Sequence, residues 1–267
     1  MLPSTTLPLV LHIPHAGTRI PRETRAAFHS LSNVIAERNR LTDWYTDELF
    51  DLPGAAHCAT PISRLVVDLE RFAEDHQEPR AAVGQGVIYT RASTGERLRS
   101  TPDAKERARL LDSWYRPWHL KLELDVLSQL QTHGLALLID AHSFPSQPLP
   151  NEDDHGRPRP DICFGTGPNT PDWLLDCALA WCRGHDLSTA VDFPYTGCLV
   201  PARYHGNLRV PAMMIEVNRS LYLQQASPEQ RPRRSAQFWR TRALLTRLLL
   251  CLCERASNRL EGVARAA

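Results

Sequence analysis

Short apolar runs recur along this chain, and longer amphipathic stretches lie between them. That alternation permits few architectures, because each kind of segment must bury its apolar face against the other. Pro8 to Ile13 reads as a buried strand, Arg64 to Leu69 as a second and Leu135 to Ile139 as a third. Ile162 to Phe164 and Met213 to Val217 are shorter strand candidates. Helical patterns fall between them. In Thr-Asp-Trp-Tyr-Thr-Asp-Glu-Leu-Phe, from Thr42, residues Trp44, Leu49 and Phe50 would share a face. Pro102 to Gln131 is long, and Pro117 interrupts it or starts a new helix. Pro171 to Arg183 is short and apolar, and Glu229 to Asn258 is the longest, with Pro232 in its first turn. The expected fold is α/β, a sandwich around a mixed, largely parallel central sheet, with residues 1–267 as a single domain. The Pro-rich, charged stretch 144–160 reads as a surface loop.

Charge narrows the function. Lys plus Arg is 31 and Asp plus Glu is 30, a balance that argues against a dedicated nucleic-acid binder. The tract Leu244 to Cys253 is too short for a bilayer, and the amino-terminal MLPSTTLPLVLHIPHAG lacks the positive start of a signal peptide. Seven Cys without a C-x-x-C pair, several in apolar runs, read as reduced thiols of a cytoplasmic protein.

Two histidines directly follow apolar strands: His15 in Ile-Pro-His-Ala-Gly and His142 in Ile-Asp-Ala-His-Ser. In open α/β sheets ligands gather beyond the carboxyl ends of strands. If the strands are neighbours, the two imidazoles would share a metal, and catalytic zinc takes three protein ligands and a water. The alternative is two ordinary histidines in turns. The third ligand would be an acid, Asp43 by choice, with Asp47 and Glu23 as rivals and a solvated helix face as the plain alternative for each. The H-x-x-E spacing of many zinc hydrolases is absent, since Thr18 stands three residues after His15. Asp140 would hold an imidazole from behind, or simply end its strand.

Arg64, Asp68 and Arg71 sit in or just after an apolar run, where charge needs a partner. Two arginines there would bind a substrate carboxylate and a developing oxyanion. Composition alone favours a structural Arg–Asp pair. Glu216 interrupts Ala-Met-Met-Ile-Glu-Val. Buried beside a metal it would be a general base with a raised pKa; otherwise it is a paired structural acid. Gly197 and Tyr204 belong to glycine-containing stretches able to approach a ligand, and His119 and His205 are weaker candidates. There is no P-loop, G-x-G-x-x-G or G-x-S-x-G motif.

Taken in order, IPHAGTRIP, TDWYTDELF, ISRLVVDLER, WYRPWH, LLIDAHSFP, DICFGT, PYTG and MIEVNRSLY resemble the N-formylglutamate amidohydrolase (N-formylglutamate deformylase) family, from residue 13 to about 222. That family is similar to zinc carboxypeptidases and aspartoacylases. The resemblance implies a three-layer, phosphorylase/hydrolase-like sandwich and one Zn²⁺ per chain. It implies hydrolysis of a small N-acyl amino acid, N-formyl-L-glutamate to formate and L-glutamate. It carries the metal ligands to His15, Asp43 and His142, the carbonyl-polarising arginine to Arg64, the carboxylate clamp to Arg71 and the general acid/base to Glu216. Asp68, Glu70, Gly197 and Tyr204 would surround the substrate. Two departures stand out: Glu70 replaces the Asn of the family's D-L-N-R, and Gly197-Cys198 replaces a Gly-Gly. Glu70 favours an alternative, a carboxypeptidase-like hydrolase that reads a substrate amino group. A binding protein that kept the fold and lost the chemistry is the other alternative. Neither a membrane nor a nucleic-acid partner is expected.

Overall fold

Every residue of the strand Leu-Val-Leu-His-Ile, β1 (Leu9–Ile13), is buried, which requires cover on both faces. The computed structural model describes residues 6–266, so the first five residues of the amino-terminal stretch lie outside the described part. The other strands are β2 (Ala56–Ala59), β3 (Leu137–Phe144), β4 (Ile162–Gly165), β5 (Thr189–Val191) and β6 (Ala212–Asn218). They form a six-stranded sheet in the order β2-β1-β3-β6-β4-β5. The first four in that order run parallel; β4 is antiparallel to β6 and parallel to β5. The helices are α1 (Arg22–Arg25), α2 (Leu31–Leu41), α3 (Thr46–Leu49), α4 (Ala104–Leu110), α5 (Arg116–His133), α6 (Asp172–Arg183) and α7 (Phe238–Ala266).

Side chains alternate across each strand, so the two faces build two cores. Leu9, Leu11, Ile13, Leu137, Ile139, Met213 and Ile215 pack with residues of α6 and α7. Val10, Leu138 and Ala212 pack with Leu110, Trp118, Leu122 and Val126 of α4 and α5. The result is the expected three-layer α/β sandwich with a mixed, mostly parallel sheet. From β1 the order runs to β2 on one side and to β3 on the other. Such a switch opens a crevice at the carboxyl ends of β1 and β3. Among the described residues, no helix is long and apolar enough to cross a membrane.

Three expectations need correction. Arg64 to Leu69 is not a strand but a series of tight turns. A strand rises roughly 3.3 Å per residue and would hold Arg64 about 13 Å from Asp68. The turns instead bring Arg64 Nη2 to 2.7 Å from Asp68 Oδ2. The last helix begins at Phe238, not Glu229, and Pro232 lies ahead of it. There Gln224 N–H donates to the Arg233 carbonyl, closing a loop instead of starting a helix. Within Thr42 to Phe50 only Thr46–Leu49 is helical, although Trp44, Leu49 and Phe50 are all buried as expected. Pro117 falls in the first turn of α5, directly after a widened π turn, Leu111–Tyr115, which joins α4 to α5.

Candidate active site

The site is built at the carboxyl end of the sheet, on the face toward α5. Neighbouring strands pair His12 with Asp140 and His142 with Glu216. His15 follows just beyond β1. Its carbonyl accepts from the Asp43 N–H at 3.0 Å, which brings the α2–α3 connection alongside. Gly17 lets this turn press on the next segment: a Cβ there would lie 2.2 Å from the Ile62 carbonyl oxygen. The close approach delivers the Arg64–Arg71 turns beneath His15.

Carboxylates hold both imidazoles. His15 Nε2 lies 2.8 Å from Asp68 Oδ1. His142 Nε2 lies 2.9 Å from Asp140 Oδ1 and 3.0 Å from Glu70 Oε1. His15, with its Nε2–H engaged, presents its Nδ1 lone pair to the other side, whereas His142 also donates there from its Nδ1–H. That side is Asp43: its Oδ2 is 3.1 Å from His142 Nδ1 and 3.9 Å from His15 Nδ1. Asp43 Oδ1 accepts from Arg219 Nη2 at 2.9 Å. Glu70 also meets both rings, with Oε2 3.4 Å from His15 Nδ1. Ligand atoms of His15, Glu70 and His142 all lie within 4.8 Å of one another.

The electrostatics favour a cation. Burial and the nearby Arg64 lower the pKa of His15, which keeps it in the neutral, ligating form. Burial opposes a charge on His142, but Glu70, Asp140 and Asp43 outweigh it and hold its pKa well above the usual range. Asp43 resists the same burial through the His142 hydrogen bond and Arg219, and falls to about 2. Five carboxylates (Asp43, Asp68, Glu70, Asp140 and Glu216) meet three guanidinium groups (Arg64, Arg71 and Arg219) around the two rings. Two imidazole rings with Asp43 and Glu70 beside them offer the nitrogen and oxygen donors that a divalent ion such as zinc takes, and a bound cation would replace the proton that those acids hold on His142.

A second group, His12, Glu70 and Asp140, has similarly close ligand atoms. It is committed otherwise. Trp118 Nε1–H donates to His12 Nε2 at 3.2 Å, so His12 carries its proton on Nδ1 and donates it to Asp140 Oδ1 at 2.7 Å. His12 thus orients Asp140, and Asp140 orients His142. The other oxygen of Asp140 accepts from Leu199 N–H at 2.8 Å, which fixes the Gly197–Leu199 loop to the same carboxylate.

Asp68 is fully buried. It faces His15 on one oxygen and on the other accepts from Arg64 and from the Tyr89 hydroxyl at 2.9 Å. Burial would raise its pKa, yet Arg64 and His15 hold it well below the carboxylate range. Arg64 places Nε and Nη2 on that single oxygen. Arg71 is looser: Nε lies 3.7 Å from Asp68 and Nη1 3.9 Å from Glu78. Its Nε is buried without a hydrogen-bond acceptor among the described residues. Glu216 is also buried, and its Oε2 has no partner there either. Burial, with Asp43 and Glu70 adding to it, pushes the Glu216 pKa up to about 8.

The structure therefore brings together His15, Asp43, His142, Arg64, Asp68, Glu70, Arg71 and Glu216. Asp47 and Glu23 are exposed and outside the cluster. Asp68 stands behind His15 and Arg64, with both carboxylate oxygens already engaged by His15, Arg64 and Tyr89. Tyr204 is a correction: its hydroxyl donates to the Glu123 carbonyl at 3.2 Å and its ring packs in the α5-side core. Gly197 adopts φ +92, a left-handed value that suits glycine, beside Cys198. Glu70 is turned toward the two imidazoles, with one oxygen near each ring. His119 donates to the Leu69 carbonyl, and burial and the nearby His12 bring its pKa down to about 4; His205 bonds the Val200 carbonyl. Neither joins the cluster. His12, Tyr89, Trp118 and Arg219 carry roles the sequence reading did not assign. The signal for His12 was available: a histidine inside an apolar strand needs a buried partner, and Asp140 interrupts another such strand.

The sequence profile of N-formylglutamate amidohydrolase matches residues 7–223. The N-formylglutamate deformylase of Pseudomonas putida is 31% identical over 240 residues, covering 83% of this chain and 84% of that one. The N-formylglutamate deformylase of Pseudomonas aeruginosa PAO1 is 31% identical over 175 residues, 60% of this chain and 59% of its own. The crystal structure of N-formylglutamate amidohydrolase from Ralstonia eutropha JMP134 shares the fold, with a TM-score of 0.81 over 96% of both chains at 22% identity. With most of its length matched in this way, the chain belongs to the N-formylglutamate amidohydrolase family.

Proposed function

We propose that this protein is a metal-dependent amidohydrolase that cleaves the amide of an N-formyl amino acid, releasing formate and the free amine. N-formyl-L-glutamate is the substrate we assign, in keeping with the names of its relatives in the two Pseudomonas species. The observation that carries the reading is Glu216: a buried carboxyl with an unpartnered oxygen, beside His142 on the next strand.

In this reading His15, His142 and Asp43 hold one zinc ion, and Glu70 is the other acid within reach of both rings. Bound there, zinc would polarise the acyl carbonyl and make a water acidic enough to attack it near neutral pH. Nearby positive charge also favours the ionised form of Glu216, the form that accepts a proton. Glu216 takes a proton from the attacking water and delivers it to the leaving nitrogen, so one carboxylate serves as base and then acid. Arg64 has two nitrogens committed to Asp68, and its remaining Nη1 is the donor available to the developing oxyanion. Arg71, with a buried Nε lacking an acceptor, clamps the substrate carboxylate and orients the amide.

The test is hydrolysis of N-formyl-L-glutamate by the full chain after chelation and again after Zn²⁺ is restored. Release of formate and glutamate should vanish on stripping and return with zinc. Full turnover by metal-free protein would refute the metal. Stoichiometric zinc uptake without any formate release would refute the reaction.

A further inference from the structure

The segment that follows β6 carries a group of arginines that the proposed chemistry does not use. Leu223 and Arg234 pair as an isolated antiparallel bridge, and Gln224 N–H donates to the Arg233 carbonyl at 2.8 Å. The loop between them is pinned twice more. Asn39 Nδ2 donates to the Pro228 carbonyl at 2.9 Å, and the Tyr45 hydroxyl donates to the Pro232 carbonyl at 3.1 Å. Over this framed loop lies an open cavity of about 930 Å³, lined by Tyr45, Gln224, Gln230, Arg231, Arg233 and Arg234 among others. That volume is at the upper end for small-molecule sites, roughly 300–1,000 Å³.

The guanidinium groups are set on aromatic faces. Arg231 lies 5.0 Å from the Trp44 ring centre, and Arg234 lies 4.8 Å from Tyr45 and 4.6 Å from Phe238. Trp44 and Phe238 are buried, so these platforms are fixed. A stacked guanidinium keeps its N–H edge free for a planar, bidentate acceptor. Arg234 pairs with Glu48, but Arg231 and Arg233 have no ion pair among the described residues, and Glu229 of the same loop meets neither. The Nε of Arg38 and of Arg234 is buried without an acceptor. Partial burial and the charge of Arg231 lower the pKa of Arg38, so like charges are held close here. Such a gathering is unfavourable until an anion enters it.

We propose that this cavity binds a phosphate-bearing small molecule, with the phosphoryl oxygens held by Arg231 and Arg233 and the polar remainder met by Gln224 and Gln230. A phosphoryl group offers several charged oxygens to two guanidinium forks, where a single carboxylate offers two. The loop is pinned on both sides, by the Leu223–Arg234 bridge and by Asn39 and Tyr45, so the site for a small ligand is preformed.

Calorimetric titration of inorganic phosphate into the zinc-loaded full chain, at constant ionic strength, tests this. Against wild type, the R231Q/R233Q variant should bind about tenfold or more weakly, and R231K/R233K, which keeps charge without the fork, should fall between them. Both arginines are exposed, so the variants should melt as wild type and keep its kcat/KM. Equal phosphate affinity in wild type and R231Q/R233Q would overturn the site. Tighter binding of a poly-glutamate peptide than of phosphate, lost in R231Q/R233Q, would overturn it in favour of an acidic protein partner.

Discussion

The same three strands present two faces of opposite character. Toward α6 and α7, β1, β3 and β6 show Leu9, Leu11, Ile13, Leu137, Ile139, Ala141, Met213, Ile215 and Val217. Toward α5 the alternate positions begin as Val10, Leu138 and Ala212, and then become His12, Asp140, His142 and Glu216 toward the carboxyl ends. Both faces are buried. The first needs only apolar volume. The second must also find partners for its polar atoms, and a chain running from Trp118 through His12 and Asp140 to His142 satisfies most of them. The contacts left open on and around that second face are the informative ones, Glu216 Oε2 and Arg71 Nε.

This contrast predicts different costs for different substitutions. Asp68→Ala should be the most damaging, because it leaves Arg64 buried without its partner and His15 Nε2 without its acceptor. A loss of about 3–5 kcal/mol of stability is expected, measured by denaturant unfolding. Zinc affinity should fall by about 10–100-fold in the same variant. Wild-type stability would mean that Arg64 and His15 find other partners. Ile139→Ala, on the dry face, should cost about 2–5 kcal/mol while the turnover of each folded molecule stays unchanged. A large drop in kcat at full occupancy of the fold would show that the two faces are not separable. Arg71→Ala should leave stability nearly intact and raise KM for carboxylate-bearing substrates by about tenfold or more, with a smaller change in kcat. An unchanged KM would remove Arg71 from substrate binding.

How much of this could be read from residues alone depended on distance along the chain. Strands β1, β4 and β6 announce themselves as mainly apolar runs, as does the start of β3, which runs on past the expected end at Ile139 through Asp140 and His142 to Phe144. The edge strands β2 and β5 carry no such run and are partly exposed, so no local pattern marks them. Helix α2, Leu-Ser-Asn-Val-Ile-Ala-Glu-Arg-Asn-Arg-Leu, has few apolar positions and is hidden for the same reason. Arg64 to Leu69 has the composition of a strand, but the attraction of Arg64, His15 and Tyr89 to Asp68 bends it into turns. In the site, His15, His142 and Glu216 stand out because each breaks or ends an apolar segment. Arg219 does not, since its role rests on Asp43, 176 residues away. Glu70 showed only as a departure from the family pattern; its position between the two imidazoles needed the folded chain.

The most direct measurement is turnover of N-formyl-L-glutamate by Glu216→Gln, with zinc content and melting temperature determined on the same sample. A neutral amide keeps the shape of Glu216 but cannot take up a proton, so the fold should be as stable as wild type. If Glu216 carries the proton, zinc uptake stays stoichiometric and kcat falls by about 10²–10⁴-fold. Wild-type kcat in the zinc-loaded variant would contradict that role and leave Glu216 a structural acid on the polar face of the sheet.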